Sequence, residues 1–449
     1  MADAELARKQ AWQDAFTTYA RPVMLAMLVL GFGSGLPLMM VFSKLSFWLR
    51  DVGIERSTIG FFYWVTISYT LKPLWAPAVD RIKLPILHSL LGQRRSWMMV
   101  AVLGTMAGLV IIAFSDPTQG LLMTLAGAFV LSYSGATLDI SIDAWRIESA
   151  PQKEQANMAA AYVLGYRGAI MFSGFGLAIS EWTNWTISFI VMAAVMGVVG
   201  GLVLLVKEPE HASRPKDKGG LGAQIGTAII EPFKQFWTRL GKWIVPVFLL
   251  VAFYRLSDFT MGVMASPLYS DLGFDRAVVG GIQSGPGVLA TIVGGFLGGF
   301  IAYKFGVLRA MLIGALITFL TNAAFAWLAA TGTSESVGAL ALVISADNVA
   351  AGFVGTAFIA YLSSLTDPVN AATQYALLSS LYAFINKFIA GFSGVMADAL
   401  GYVNFFLVTA GYALPTALII IFLMMRGTDA AKGTQTIETM SQDTPPKSA

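Results

Sequence analysis

The residues of this chain that could do chemistry are ionisable side chains embedded in otherwise apolar sequence. Asp139, Asp143 and Arg146 follow one another at intervals of four and three, which on an α-helix places all three along one face. A charge at the centre of a bilayer costs roughly 2.5–3.5 kcal/mol on insertion scales, so such a face turns to a cavity or pairs internally. A carboxyl held there can carry a proton, because desolvation raises its proton affinity and a nearby cation lowers it. Asp139 and Asp143 are the candidates for proton coupling, and a fixed structural ion pair is the competing reading. Asp139 lies ten residues before the turn at Ser149 and Arg167 about eleven into the next apolar run. Both are roughly 15 Å deep at 1.5 Å per residue, so Asp139 and Arg167 could be partners. Lys72, at the level of Asp143, offers a second pair.

The second half of the chain carries a smaller set. Arg255 and Asp258 are three apart and close enough to neutralise each other. Lys387 has no acid within a turn on its own helix; with Asn386 it could grip a carboxylate, or it could bond to Asp347 on the preceding run. Cysteine is absent, which excludes disulfides, thiolate metal sites and thiol nucleophiles. The two histidines, His88 and His211, fall in polar connecting segments, so neither a metal site nor a cofactor is expected.

The elements that must position these groups are membrane helices. Hydrophobic residues make up 56% of the chain and charged residues 12%, and the mean hydropathy is +0.68, whereas soluble domains carry about 25% charged residues. Apolar runs near the roughly 20 residues that a helix needs to cross the hydrocarbon core recur throughout. Spans are predicted over 22–42, 58–79, 96–115, 120–145, 156–180 and 185–206, then 244–267, 277–303, 308–330, 337–362, 375–400 and 403–425. This divides the chain into a polar N-terminal segment (1–21), a six-helix bundle (22–206), a central loop (207–243), a second six-helix bundle (244–425) and a polar tail (426–449), read as disordered. The run is too long for a signal-peptide core, so Pro22 onward is read as a retained first span.

Of the 29 basic residues, Lys72, Arg167, Arg255 and Lys387 lie within these spans. Only Lys44, Arg50, Arg56 and Arg276 fall on the side away from the termini. The positive-inside rule therefore predicts that both termini and the central loop are cytoplasmic. The net charge of +3 is a topology signal and gives no reason to expect nucleic-acid binding. Glycines within spans, as in Gly31–Gly35 and Gly294–Gly299, point to close helix packing, with hinge motion as the alternative. Pro37, Pro73, Pro77, Pro246 and Pro286 are candidate kinks.

After the second run the chain reads Trp75-Ala76-Pro77-Ala78-Val79-Asp80-Arg81, followed by Gly92-Gln93-Arg94-Arg95. This resembles the cytoplasmic loop signature of the major facilitator superfamily, with a wider spacing between its two parts. An echo in the second half, Gly299 to Gly306 with Arg309, sits where an internal repeat would put it. The fold implied is an all-α membrane protein of twelve transmembrane helices in two pseudo-symmetric six-helix halves. Asp80 could accept from a neighbouring helix N-terminus or pair with an arginine in one conformation only. Asp80, Arg81, Arg94 and Arg95 would then form a conformational latch; the alternative is that the arginines simply hold the loop in the cytoplasm.

A narrower resemblance is carried by Ser134 to Arg146, by Gly165-Tyr166-Arg167, by Gly33-Ser34-Gly35-Leu36-Pro37, by Ile59-Gly60-Phe61-Phe62 and by Lys72 to Pro77. These look like the AmpG-type muropeptide permeases, more strongly in the first half than in the second. Leu138 stands where that family's pattern leads one to expect Gln. The resemblance implies a proton-driven importer of N-acetylglucosaminyl-anhydro-N-acetylmuramyl peptides, used in peptidoglycan recycling, in the bacterial inner membrane. It further implies a monomer whose only partners are the muropeptide, protons and the bilayer. On that reading Asn348, Gln283, Gln374 and Tyr375 could bond sugar hydroxyls and amides, and Tyr63, Trp64, Tyr69, Tyr162 and Tyr166 could stack on sugar rings. The alternative cargoes are acetyl-CoA, a siderophore or small peptides. Acetyl-CoA would demand a strongly cationic cavity, and the intraspan bases are largely balanced by acids. No catalytic constellation suggests an enzyme.

Overall fold

The computed structural model describes residues 21–150, 154–209, 238, 241–366 and 371–426, and among them every regular element is helical. The segment before Arg21, His211 and the charged run 214–220 of the central loop, and the tail after Arg426 lie outside the described residues. Among the described residues, ten helices are long and apolar enough to cross a membrane.

The first helix, α1, runs over Pro22–Asp51, opening on a proline whose missing N–H costs nothing at a helix start. It extends well past the predicted end at residue 42. Lys44 reads as a boundary in the sequence, but Leu45, Phe47, Trp48 and Leu49 are all buried, and their packing carries the helix on. Three residues after Pro37 the winding loosens into a π turn, Met40–Lys44.

Next comes α2, over residues 56–81, a helix broken by 3-10 turns at Tyr63–Ile67 and Lys72–Leu74, the latter containing Pro73. Then follow α3 (Gln93–Ala113), α4 (Leu121–Ser149), α5 (Gln155–Trp182) and α6 (Trp185–Leu205). The second half begins with α7 (Ile244–Asp271), interrupted at Tyr254–Arg255 and unbroken at Pro246, contrary to expectation. It continues with α8 (Arg276–Phe305), in which Pro286 sits in a π turn, Gln283–Gly287, and with α9 (Val307–Thr331) and α10 (Val337–Ser364). The last elements are α11 (371–400) and α12 (402–426), separated by Gly401, whose φ of +71° breaks the helix. The broken α2 and the helix Ala371–Ala390 are not among the ten long apolar helices.

The two halves pack alike. Helix α3 lies against α4 and α6 as α9 lies against α10 and α12, and α1 against α5 as α7 against α11. Small residues set the closest approaches: a Cβ on Gly294 of α8 would stand 2.0 Å from the carbonyl oxygen of Val349 on α10. Only glycine lets those backbones meet, which supports the packing role expected for Gly294–Gly299.

Candidate substrate and proton site

Asp139 lies on α4 beside a flank formed by Leu138, Ile142 and Trp145, which are buried at 0, 0 and 2% exposure. Three helices converge on its carboxylate. Lys72 of α2 donates to Oδ2 at 2.9 Å, Tyr162 of α5 donates its hydroxyl to Oδ1 at 2.9 Å, and Ser34 of α1 donates to the same Oδ1. Ser34 and Tyr162 also touch each other at 2.7 Å. Lys72 opens the second 3-10 turn of α2.

The pairings suggested by depth are therefore corrected. Asp139 pairs with Lys72, and Asp143 pairs with Arg146 on its own helix at 3.5 Å. Arg167 is half-buried beside Tyr166 and takes no ion pair among the described residues. The depth count put Lys72 at the level of Asp143, and the structure moves it about one turn of α4, to Asp139. Tyr69 places its hydroxyl among buried atoms with no hydrogen-bond partner, and its ring lies 5.5 Å below the Lys387 ammonium. Lys387, buried on α11, donates to the carbonyl of Thr66 in the first 3-10 turn of α2, at 2.8 Å, and not to Asp347. Adjacent Asn386 is fully buried, donates to the carbonyls of Ala252 and Tyr382, and leaves Oδ1 unpartnered.

Elsewhere in the second half, Arg255 and Asp258 form the expected pair at 3.2 Å, and Thr318 lies 3.5 Å from the carboxylate. Asp347 forms no ion pair among the described residues. Asn348 is taken up by Thr291 and by the carbonyl of Ile344, Gln374 is buried, and Gln283 accepts from Lys44. Lys44 is itself a correction: counted as lying outside the spans, it is 2% exposed inside α1. Ser34 could be noticed beforehand only as a hydroxyl flanked by two glycines.

At the end of the molecule that bears the termini, Arg94 is almost fully buried. It donates to Asp80 at 2.6 Å and in fork fashion to both oxygens of Glu148, at 2.9 and 2.6 Å. The backbone N–H groups of Arg94 and Arg95, at the N-terminus of α3, donate to the Glu208 carboxylate at 2.7 and 3.0 Å. The helix N-terminus expected for Asp80 is thus held by Glu208. These contacts join α2, α3, α4 and the end of α6, all within the first half. Arg95 also donates to the carbonyl of Leu204, and Arg81 stands at the end of α2. In the echo, Arg309 reaches only the carbonyl of Phe305 at 3.5 Å, and Lys304 lies over the rings of Phe300 and Phe305.

The opposite end joins the two halves. Arg50 and Arg56 pair with Asp271, Arg276 pairs with Asp51 and Glu181, and Tyr402 donates to Asp271. The backbone N–H of Ser57 donates to Asp398. Below them α1 packs on α7, α2 on α11 and α5 on α8. Trp64 stacks on Phe388 and donates to its carbonyl.

A cavity of about 760 Å³ opens between Arg21–Leu30, Trp145–Ser149 and Leu202–Pro209. Its walls are largely aliphatic and it does not include the Asp139 cluster. Among the described residues no group of His, Cys, Asp or Glu could hold a metal ion.

Helix contacts that repeat along the chain, a polar cluster buried between helices and a closed seam on one side define a helical membrane transporter. Residues 23–386 match the Major Facilitator Superfamily, and the chain belongs to that family. Among similar proteins are the "Putative transporter AmpG 4" of Rickettsia felis, 35% identical over 88% of this chain and 95% of its own, and the "Anhydromuropeptide permease" of Escherichia coli, 31% identical over 90% and 80%. In fold the chain is similar to the nucleoside transporter NupG (D323A mutant), with TM-score 0.68 and 14% identity over 89% of this chain and 99% of that one. The chain is related to the AmpG-type muropeptide permeases, and it is a transporter, not an enzyme.

Proposed function

We propose that this protein imports anhydromuropeptides, GlcNAc-anhydroMurNAc with or without peptide, from periplasm to cytoplasm across the bacterial inner membrane, driven by protons, for peptidoglycan recycling. In this reading twelve helices span the membrane as two six-helix halves that rock about a site near the midplane, both termini are cytoplasmic, and the protein acts as a monomer. The closed seam at Arg50, Arg56 and Asp271 then faces the periplasm.

The observation that carries the mechanism is the Asp139 carboxylate, gripped at once by Ser34, Lys72 and Tyr162 from three helices. Protonating Asp139 removes the counter-charge of Lys72, which is then free, with nearby Arg167 and Lys387, to hold an anionic cargo. Releasing the proton restores the pair and expels the cargo. An inward-moving proton supplies roughly 2.3 kcal/mol per 100 mV and about 1.4 kcal/mol per pH unit, enough for a hundredfold gradient or more.

The test is uptake into proteoliposomes. Asp139→Asn should lower gradient-driven import at least tenfold while retaining counterflow exchange, because the neutral side chain mimics the loaded form. Wild-type import that persists undiminished after an uncoupler collapses the proton gradient would remove the coupling claim. Competition among anhydromuropeptide, the free disaccharide and acetyl-CoA fixes the cargo.

A further inference from the structure

Lys44 is buried in the π turn Met40–Lys44 of α1, seven residues before Asp51 and so about 10 Å beneath the helix end. Its ammonium donates to Gln283 Oε1 at 2.8 Å. Gln283 opens the other π turn, Gln283–Gly287, on α8 of the opposite half. Such turns are rare and often mark functional positions. Among the described residues Lys44 takes no ion pair, so the closed seam holds a desolvated cation against a neutral amide, an arrangement costly to the charged form. The neighbouring link between the halves, Ser43 to Ser266 at 3.2 Å, is also uncharged.

We propose that Lys44 and Gln283 form an entry subsite for a carboxylate of the cargo, used when the seam opens. The two residues belong to different halves, so their hydrogen bond breaks as the halves part. The ammonium then faces the opened side, and the Gln283 side-chain amide retains N–H donors opposite it. A carboxylate between them accepts from both, a charge-assisted arrangement. Reclosure reforms the Lys44–Gln283 bond and passes the cargo toward Lys72 and Asp139. The inference rests on the proposed import of muropeptides, whose carboxylate is the lactyl group in the free disaccharide and the peptide terminus in the longer forms.

The test compares uptake of the disaccharide and of a tripeptide-bearing muropeptide, each with its free carboxylate and as the amide, by full-length protein in proteoliposomes. Wild type should favour the free acids at least fivefold in KM. Lys44→Met should raise KM for the acids about tenfold and leave the amides within twofold. Lys44→Arg should keep the preference, and Gln283→Ala should lose part of it. A preference confined to the disaccharide assigns the lactyl carboxylate, and one confined to the tripeptide form assigns the peptide terminus. Equal loss for acids and amides in Lys44→Met, or no acid preference in wild type, overturns the subsite while leaving muropeptide import standing. Wild-type transport of none of the four removes the import reading and the subsite with it.

Discussion

The two ends of the molecule use ion pairs in opposite ways. At the end bearing the termini, Arg94 binds Asp80 and Glu148 while Glu208 holds the N-terminus of α3, all within the first half. At the other end Asp271 takes Arg50 and Arg56 from across the seam, and Arg276 reaches back to Asp51 and Glu181. Pairs within a half survive a rocking motion; pairs between halves do not. The burial differs accordingly. The Arg94 side chain is 2% exposed between carboxylates at 27 and 15%, whereas the seam arginines are each exposed by about a fifth, so water can take over from them when the seam contacts break. The first arrangement builds a rigid half and the second a reversible closure.

The strongest way to break this contrast is Arg94→Ala. It removes a buried guanidinium from two part-exposed carboxylates and should cost about 3 kcal/mol, the low end for breaking a buried pair, read as a large fall in melting temperature in detergent. Gly394→Ala acts on the seam: its Cβ would stand 1.7 Å from the carbonyl oxygen of Arg56. Since the obstacle is backbone, closure should become unfavourable by about 1–3 kcal/mol, and spin labels on the α1–α2 and α7–α8 connections should report wider separations. Asp271→Asn should loosen the same seam by about 1 kcal/mol, as expected for partly exposed pairs. Its widening should be visible by the same labels and should shrink against wild type at high salt, with melting temperature nearly unchanged. Arg309→Gln, in the echo of the Arg94 loop, should alter neither stability nor labelled distances by more than about 0.5 kcal/mol. An Arg309 effect as large as that of Arg94 would dissolve the contrast between the halves.

Much of the architecture was legible beforehand because lipid imposes it. A charged residue every few positions is affordable in water and not in hydrocarbon, so apolar runs and the excess of basic residues near the termini are written plainly into the chain. The break between α11 and α12 was legible too, since Gly401 falls between the two runs as a residue that tolerates positive φ. The choice of partners was not. Asp139 could be recognised as important from its spacing to Asp143 and Arg146, but counting residues from the helix ends pointed to Arg167 where the structure supplies Lys72. Lys44 reads as a boundary residue because only the packing of Leu45 through Leu49 shows that the helix continues.

The amino-acid sequence by itself determined a helical membrane protein of the major facilitator type, with carboxylates placed on one face of α4 and a basic loop after α2. These follow from one-dimensional patterns, the hydropathy of a run and the period of a helix. Tertiary structure alone decided that Ser34, Lys72 and Tyr162 meet at Asp139, that Glu208 holds the α3 N-terminus, and that Lys44 faces Gln283 across the seam. Each of those contacts joins residues dozens to hundreds of positions apart, at distances set by helix irregularities and glycine-mediated approaches that no local pattern encodes.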